Sequence, residues 1–357
     1  MSGTGISFFK GGKMLGMSVG TESKAGNCRK RMMRIGLLLV AALWLLAAER
    51  LFALEQVQLH VSGASSPNAL VYRFANDKGF YRDEGLEVLP IMAGMLPGIQ
   101  GLVAGSFDFS QILGQGAGAI LRGFPLKIVM VFDVKPLWWL FGGKGIKTLQ
   151  MIKGRKQGAG QIAISSFGAA LDQVTREVLR KYEIVPERDV MLRAVGNAPD
   201  RLAALLSGSV DAAVVDHMGR LVAKKQQFNE LLFYGDQMEF VSGGVVVTEK
   251  TISERPELVR RFLRGTLKGF LWWKSHEKEV ASKLTEIWRI SENDAVETYR
   301  SSILAFSADG TIPRTLQERM ITFQRRALKV EKEISPESVY DFNLVHSLNI
   351  ELKKARF

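Results

Sequence analysis

The run Ser165-Ser166-Phe167-Gly168 leads into a helical pattern at Ala169 to Asp172, so two hydroxyls and a glycine stand at a helix start. Backbone N–H groups there lack intrahelical acceptors, and the helix dipole adds partial positive charge. That combination suits an oxygen of a carboxylate, sulfonate or nitrate. Plain helix capping by Ser165 or Ser166 is the competing reading and needs no ligand. Ser65, Ser66 and Asn68, around Pro67, carry the same ambiguity. Asp216 and His217 close an apolar run. They could hydrogen-bond a polar solute, or His217 could act as a proton-sensitive gate; a solvated loop pair is the plainer alternative. Trp138, followed by Trp139, could wall off water, stack on a ring, or simply pack. Met95 and Leu96 suggest a partly apolar pocket, which fits an acid with organic bulk better than bare nitrate. Gly114, Gln115 and Asn197 complete the candidates.

The elements that must position these residues occur twice. Gly94, Pro97, Gly105, Ser106 and Asp108 correspond to Gly196, Pro199, Gly208, Ser209 and Asp211, at an offset of 102 to 103 residues. Each copy reads as a turn, a helix stripe, a glycine C-cap and an apolar strand. The preceding stretches 59–81 and 161–182 also match, as strand, serine-containing loop and helix, and short strands follow at Leu86–Ile91 and Val190–Ala194. The chain thus holds two similar βαβαβ units, an α/β class with two lobes. In open α/β sheets, ligands bind beyond the carboxyl ends of the strands, which selects the strand-to-helix loops carrying the candidates above. Asp108 and Asp211 recur with the fold and read as helix–strand junctions rather than ligand contacts. Trp272 and Trp273 lie on a helix stripe and read as core.

With 357 residues, 46% hydrophobic and 24% charged, the chain can bury two cores. Residues 1–31 have no apolar period and read as a disordered or upstream extension. Residues 32–53 combine Arg34 with an apolar run, Ile35 to Ala48, in the pattern of a secretory signal peptide. An uncleaved N-terminal anchor is the alternative. Cys28 precedes that run, so the mature part holds no cysteine for disulfides, nucleophiles or thiolate metal sites. Of the net charge of +12, half belongs to residues 1–53. The remaining positive charges are scattered, which argues against nucleic-acid binding. No G-x-x-x-x-G-K-[ST] loop occurs, and no G-x-S-x-G motif follows residue 53. No catalytic residue, metal ligand or cofactor is assigned.

The assembled stretches ANDKGFYRDEGLEV (75–88), LVAGSFDFS (102–110), KGRK (153–156), SSFGAALD (165–172), LLSGSVDAAVVD (205–216) and PELVRRFLRGTLKGF (256–270) resemble the periplasmic solute-binding proteins of ABC importers. The likeness is to the nitrate, sulfonate and taurine group, which includes relatives of thiamine-pyrimidine-binding proteins. The resemblance implies a type II periplasmic binding fold with a two-segment hinge. Its first lobe would be discontinuous, 57–137 and 243–357, its second 145–235, with crossings near 136–144 and 235–243. It implies a non-catalytic, monomeric, extracytoplasmic receptor. Such a receptor captures a small anionic organic solute by hinge closure and delivers it to an inner-membrane permease with its cytoplasmic ATPase. A thiamine-pyrimidine precursor binder or synthase, and a membrane-anchored solute sensor, are the alternatives.

Overall fold

A computed structural model describes residues 54–61, 66–153 and 160–355. The extension 1–31, the export signal 32–53, Ser65 and the end of the KGRK stretch lie outside the described residues.

The first sheet is built from β1 (Glu55–Val61), β2 (Leu86–Met92), β3 (Phe109–Ile112), β4 (Leu126–Val131) and a later strand, β10 (Gly243–Thr248). Its order is β2-β1-β3-β10-β4. β1 lies parallel to β2 and β3, and β10 runs antiparallel to β3 and β4. Helices α1 (Pro67–Asp77), α2 (Met95–Ala104) and α3 (Leu113–Leu121) connect these strands. The second sheet comprises β5 (Trp139–Gly142), β6 (Gly160–Ile164), β7 (Val190–Ala194), β8 (Ala212–Val215) and β9 (Asn229–Phe233). Its order is β7-β6-β8-β5-β9, with β5 antiparallel to both neighbours, so each sheet takes one antiparallel strand beside its third parallel strand. Its helices are α4 (Ala170–Lys181), α5 (Ala198–Ser207) and α6 (His217–Lys225). The chain then returns through β10 to α7 (Glu249–Glu254), α8 (Pro256–Ser275), α9 (Glu277–Trp288), α10 (Glu292–Ala305), α11 (Arg314–Leu328), α12 (Pro336–Val339) and α13 (Asn343–Lys354).

The repeat is explicit in hydrogen bonds. Asp108 Oδ2 accepts from Gln58 N at 2.8 Å, and Asp211 Oδ2 accepts from Gln161 N at 2.8 Å. Asp108 N and Asp211 N in turn donate to the carbonyls of Gln58 and Gln161, both at 2.9 Å. Each aspartate therefore pins its lobe's first strand to the turn before the third parallel strand. Gly105 and Gly208 close α2 and α5 at φ of 78° and 74°, a left-handed conformation that costs other residues strain.

The first core centres on α8, which the alternation of apolar and charged residues makes amphipathic. Phe262 stacks on Phe109 at 3.8 Å between centroids, and Trp273 is fully buried, as the helix stripe predicts for the pair Trp272–Trp273.

One boundary differs from the sequence reading. Trp139 to Gly142 already pair with β8 and β9, so the first crossing is 132–138 rather than 136–144. The reason is burial: Trp139, Leu140 and Phe141 pack as a central strand of the second sheet. The second crossing runs over 234–242. The two crossings pair directly, through Phe240 N to Val134 O at 3.0 Å and Tyr234 N to Trp138 O at 2.9 Å, and Phe132 N donates to Gly243 O at the start of β10 at 2.6 Å. Two such side-by-side segments are the geometry of a hinge.

Candidate functional site

A cavity of about 260 Å³ lies where the two sheets face each other across the crossings. The elements that line it enter by their N-terminal ends: α1, α3, α4 and α6 are each the next helix after a strand. That follows from the βαβ order, because the helix N-terminus lies beside the strand's carboxyl end. The hydroxyls at these starts do not cap their helices. Helix α4 begins at Ala170 with Ala169 as its unassisted N-cap, five residues past Ser165. Gly168 turns the chain at φ +77°, and its N–H donates to Asp172 Oδ2 at 2.7 Å. Among the described residues, Ser165 and Ser166 have no side-chain partner, and the N–H groups of Ala170 and Leu171 have no acceptor. Capping by Ser165 or Ser166 is thereby excluded, and the α4 terminus keeps its donors.

The second lobe adds a buried cation. Arg201, only 5% exposed, lines the cavity from α5. Its Nε donates to Val214 O at 2.7 Å and its Nη1 to Gly196 O at 2.6 Å, which fixes the guanidinium plane. Among the described residues it forms no ion pair. Burial pulls its pKa below the ordinary arginine value, opposed by the nearby charges of Asp216 and Asp200. A guanidinium stays protonated under such a shift.

The first lobe contributes acceptors. Asp133, on the first crossing, is 1% exposed. Its Oδ2 accepts from Asn68 Nδ2 and, at 3.3 Å, from Ser242 Oγ, whereas its Oδ1 has no partner. Burial pushes its pKa up to about 7, against the lowering effect of the Asn68 and Ser242 hydrogen bonds. Asn68 Oδ1 accepts from Ser66 Oγ at 2.6 Å and from Gln111 Nε2 at 3.0 Å, leaving Gln111 Oε1 unpartnered.

The structure thus brings Ser66, Asn68, Gly114, Trp138, Ser165, Asp216 and His217 to one cavity. Trp138 packs against Phe240 at 5.9 Å between ring centroids. Leu96, Ser166, Phe167 and Gly168 instead line a second groove of about 860 Å³, which shares Gly114, Ala169 and Ala170 with the cavity. Leu96 and Phe167 are exposed there. Met95 and Gln115 sit in the first turns of α2 and α3.

Two expectations need correction. Asn197 lines neither space: its Oδ1 accepts from Asp200 N at 3.0 Å and caps α5, the ordinary use of Asn before a helix. His217 does not suit a proton gate. It is buried edge-on to Trp139 at 4.6 Å, and burial together with the Arg220 charge lowers its pKa to about 3. Asp216 caps α6 through Gly219 N at 2.9 Å.

Sequence reasoning missed Gln111, Asp133, Arg201 and Ser242. A signal existed for Arg201. Its counterpart in the repeat is Ile99, also buried, so an arginine stands on the inward face of a helix whose sister carries an alkyl chain.

Comparison with known proteins agrees with this architecture. Residues 66–280 match the family described as NMT1/THI5 like. A candidate aliphatic sulfonates-binding protein of Bacillus subtilis is 25% identical over 311 residues, 81% of this chain and 86% of that protein. The periplasmic nitrate-binding protein of Synechocystis PCC 6803 superposes with a TM-score of 0.67 at 16% identity, over 84% of this chain and 89% of its own. A desulfurization enzyme shares the fold as well, with a TM-score of 0.60 at 15% identity, over 83% of this chain and 99% of its own. The chain belongs to the NMT1/THI5-like family and has the periplasmic binding protein fold.

Proposed function

We propose that this member of the NMT1/THI5-like family is an extracytoplasmic solute receptor of an ABC importer, which captures a small organic anion between its lobes. The observation that carries the reading is Arg201. It is a buried guanidinium with no carboxylate partner among the described residues, facing a cavity into which four helices start. A buried cation that no carboxylate touches is costly, the nearby charges of Asp216 and Asp200 offset only part of that cost, and a bound anion would neutralise it. Free N–H groups at the α4 start and the Ser165 hydroxyl add donors for its oxygens.

Capture would work by closure. The solute touches both walls only when the lobes approach, so it stabilises the closed state by its extra contacts there. The paired crossings 132–138 and 234–242 are the segments that would bend. Delivery to a permease, export guided by residues 32–53, and a monomeric state complete the proposal. The sulfonates-binding relative favours a receptor over a pyrimidine synthase. The shared fold of the desulfurization enzyme makes turnover the result to look for.

The test is titration of the purified protein with ethanesulfonate, propanoate and nitrate by calorimetry, with solute recovery followed by chromatography. Binding that Arg201→Met weakens, with the solute recovered intact, supports the receptor. Consumption of the solute would make it an enzyme, and failure of every anion to bind would remove the anion-site reading.

A further inference from the structure

The lobes touch at more than the crossings. At the cleft, a methyl group placed on Gly114 of α3 would lie 3.7 Å from the Cβ of Ala170 on α4, so the two lobes stand together. Elsewhere, α6 of the second lobe meets α10 of the first through charge. Arg220 Nη1 donates to Glu297 Oε1 at 2.6 Å, and Lys224 Nζ donates to the same oxygen at 2.7 Å. Lys225 Nζ lies 3.2 Å from Asp294 Oδ2. Across this contact the second lobe offers cations and the first carboxylates. Leu221 of α6 shares the first lobe's hydrophobic cluster with Ala295 and Tyr299 of α10, and Met218 packs against it.

Helix dipoles account for part of the pattern, because Lys224 and Lys225 stand in the last turn of α6 and Asp294 in the first turn of α10. They do not account for Arg220 and Glu297, which lie away from those ends. The Arg220 side chain is mostly buried and is set from within its own lobe. Its Nε donates to Glu230 Oε2 at 2.8 Å, and its guanidinium carbon lies 4.9 Å from the centre of the Trp139 ring. A guanidinium held in this way loses little further freedom when it takes a partner. Within each helix the charges repel, since Arg220 and Lys224 are i,i+4 neighbours and Asp294 and Glu297 are i,i+3 neighbours. Facing the other lobe relieves both repulsions at once.

The contact sits where lobe motion acts on it. Helix α10 meets the first crossing at its C-terminal end, where Val134 N donates to Ala305 O at 2.8 Å. Glu297 lies eight residues earlier, on an arm of about 12 Å at 1.5 Å per residue. A rotation about the crossings moves the carboxylate on that arm, while Arg220 rides with the other lobe.

We propose that Arg220, Lys224 and Lys225 with Asp294 and Glu297 form an electrostatic clamp between the lobes, which favours their closed arrangement before any solute binds. The clamp acts on closure and not on the solute. It therefore changes the affinity for every solute by one factor and leaves selectivity as it is. Salt weakens it.

The test uses no solute, so a failure of the anion reading leaves it intact. Spin labels go on Leu96→Cys and Phe167→Cys, exposed residues of opposite lobes that line the second groove, with Cys28→Ser removing the one native cysteine. Electron paramagnetic resonance reads the distance between the labels. In the parent, raising salt from about 20 mM to about 500 mM, where the Debye length falls to about 4 Å, moves population to longer distances. Glu297→Gln raises the open-to-closed ratio roughly threefold or more at low salt, the scale of losing one or two partly exposed ion pairs, and flattens the salt response. Lys224→Gln combined with Lys225→Gln, at more exposed positions, does the same and answers the question if Glu297→Gln fails to fold, as judged by circular dichroism. Unchanged distances in the variants would mean that α6 and α10 do not bias the lobes, and shorter distances would mean that their contact holds the lobes apart; either result overturns the clamp.

Discussion

Replacing Asp133 by Asn should stabilise the protein at pH 8 and change it little at pH 5. The carboxyl is buried, with a folded-state pKa near 7 against an ordinary value of 3.8. The folded state therefore binds the proton more tightly than the unfolded chain. Between these two pKa values the native state holds more protons than the unfolded one, so stability falls as pH rises. The contribution is fully present below the unfolded pKa and is lost as pH rises through about 7. The whole span corresponds to about 4 kcal/mol at 1.36 kcal/mol per pKa unit. Roughly 2–3 kcal/mol of it falls between pH 5 and pH 8, where the native carboxyl passes from almost fully protonated to mostly ionised. Asn is close in shape to the protonated acid and cannot ionise. Its oxygen can accept from Asn68 and Ser242 as Oδ2 does now. Urea unfolding of both proteins at both pH values provides the assay. Subtracting the variant from the parent cancels every other titrating group that the substitution leaves undisturbed. The parent should lose roughly 2–3 kcal/mol more than the variant on going from pH 5 to pH 8. A difference near zero, or of the opposite sign, would refute the argument that burial dominates at Asp133.

Three further outcomes follow from the same geometry. Arg201→Met should weaken binding of ethanesulfonate roughly 10- to 100-fold in calorimetry, the range for losing charge-assisted hydrogen bonds; unchanged affinity would place the anion elsewhere. His217→Gln should leave the pH profile of solute affinity between pH 5 and pH 8 as it is in the parent, because a histidine with a pKa near 3 is neutral throughout; a profile that flattens only in the variant would restore the proton gate. Gly98→Ala should cost about 1–3 kcal/mol in urea unfolding through overpacking, because a methyl group there would overlap the His60 ring beneath α2; an unchanged midpoint would mean that α2 lifts freely from β1.

What the sequence discloses, and what it withholds, follows from the range of the interactions. The repeat is legible because Gly105 and Gly208 answer to local backbone geometry, and Asp108 and Asp211 fulfil one structural task twice. The loops at the strand ends are legible for the same reason: the βαβ order alone places Ser66, Asn68, Gly114, Ser165 and Asp216 around one space. Asn197 looked equivalent to them, yet a cap and a ligand contact use the same residue types, and only three-dimensional placement separates them. The charged groups were hidden by another effect. Asp133 sits on a crossing, and its partners Asn68 and Ser242 lie 65 and 109 residues away in sequence, so no spacing rule links them. Arg201 is held by carbonyls on either side of its own helix, a contact that sequence cannot express. Yet the comparison of Arg201 with Ile99 shows how such groups can be found in a duplicated chain. The fold requires the same burial at both positions, and one copy meets it with alkyl carbon while the other places a guanidinium there. Burying that charge works against stability. Where two copies share a fold and differ by a buried charge, the scaffold accounts for the position and the ligand is what remains to account for the charge.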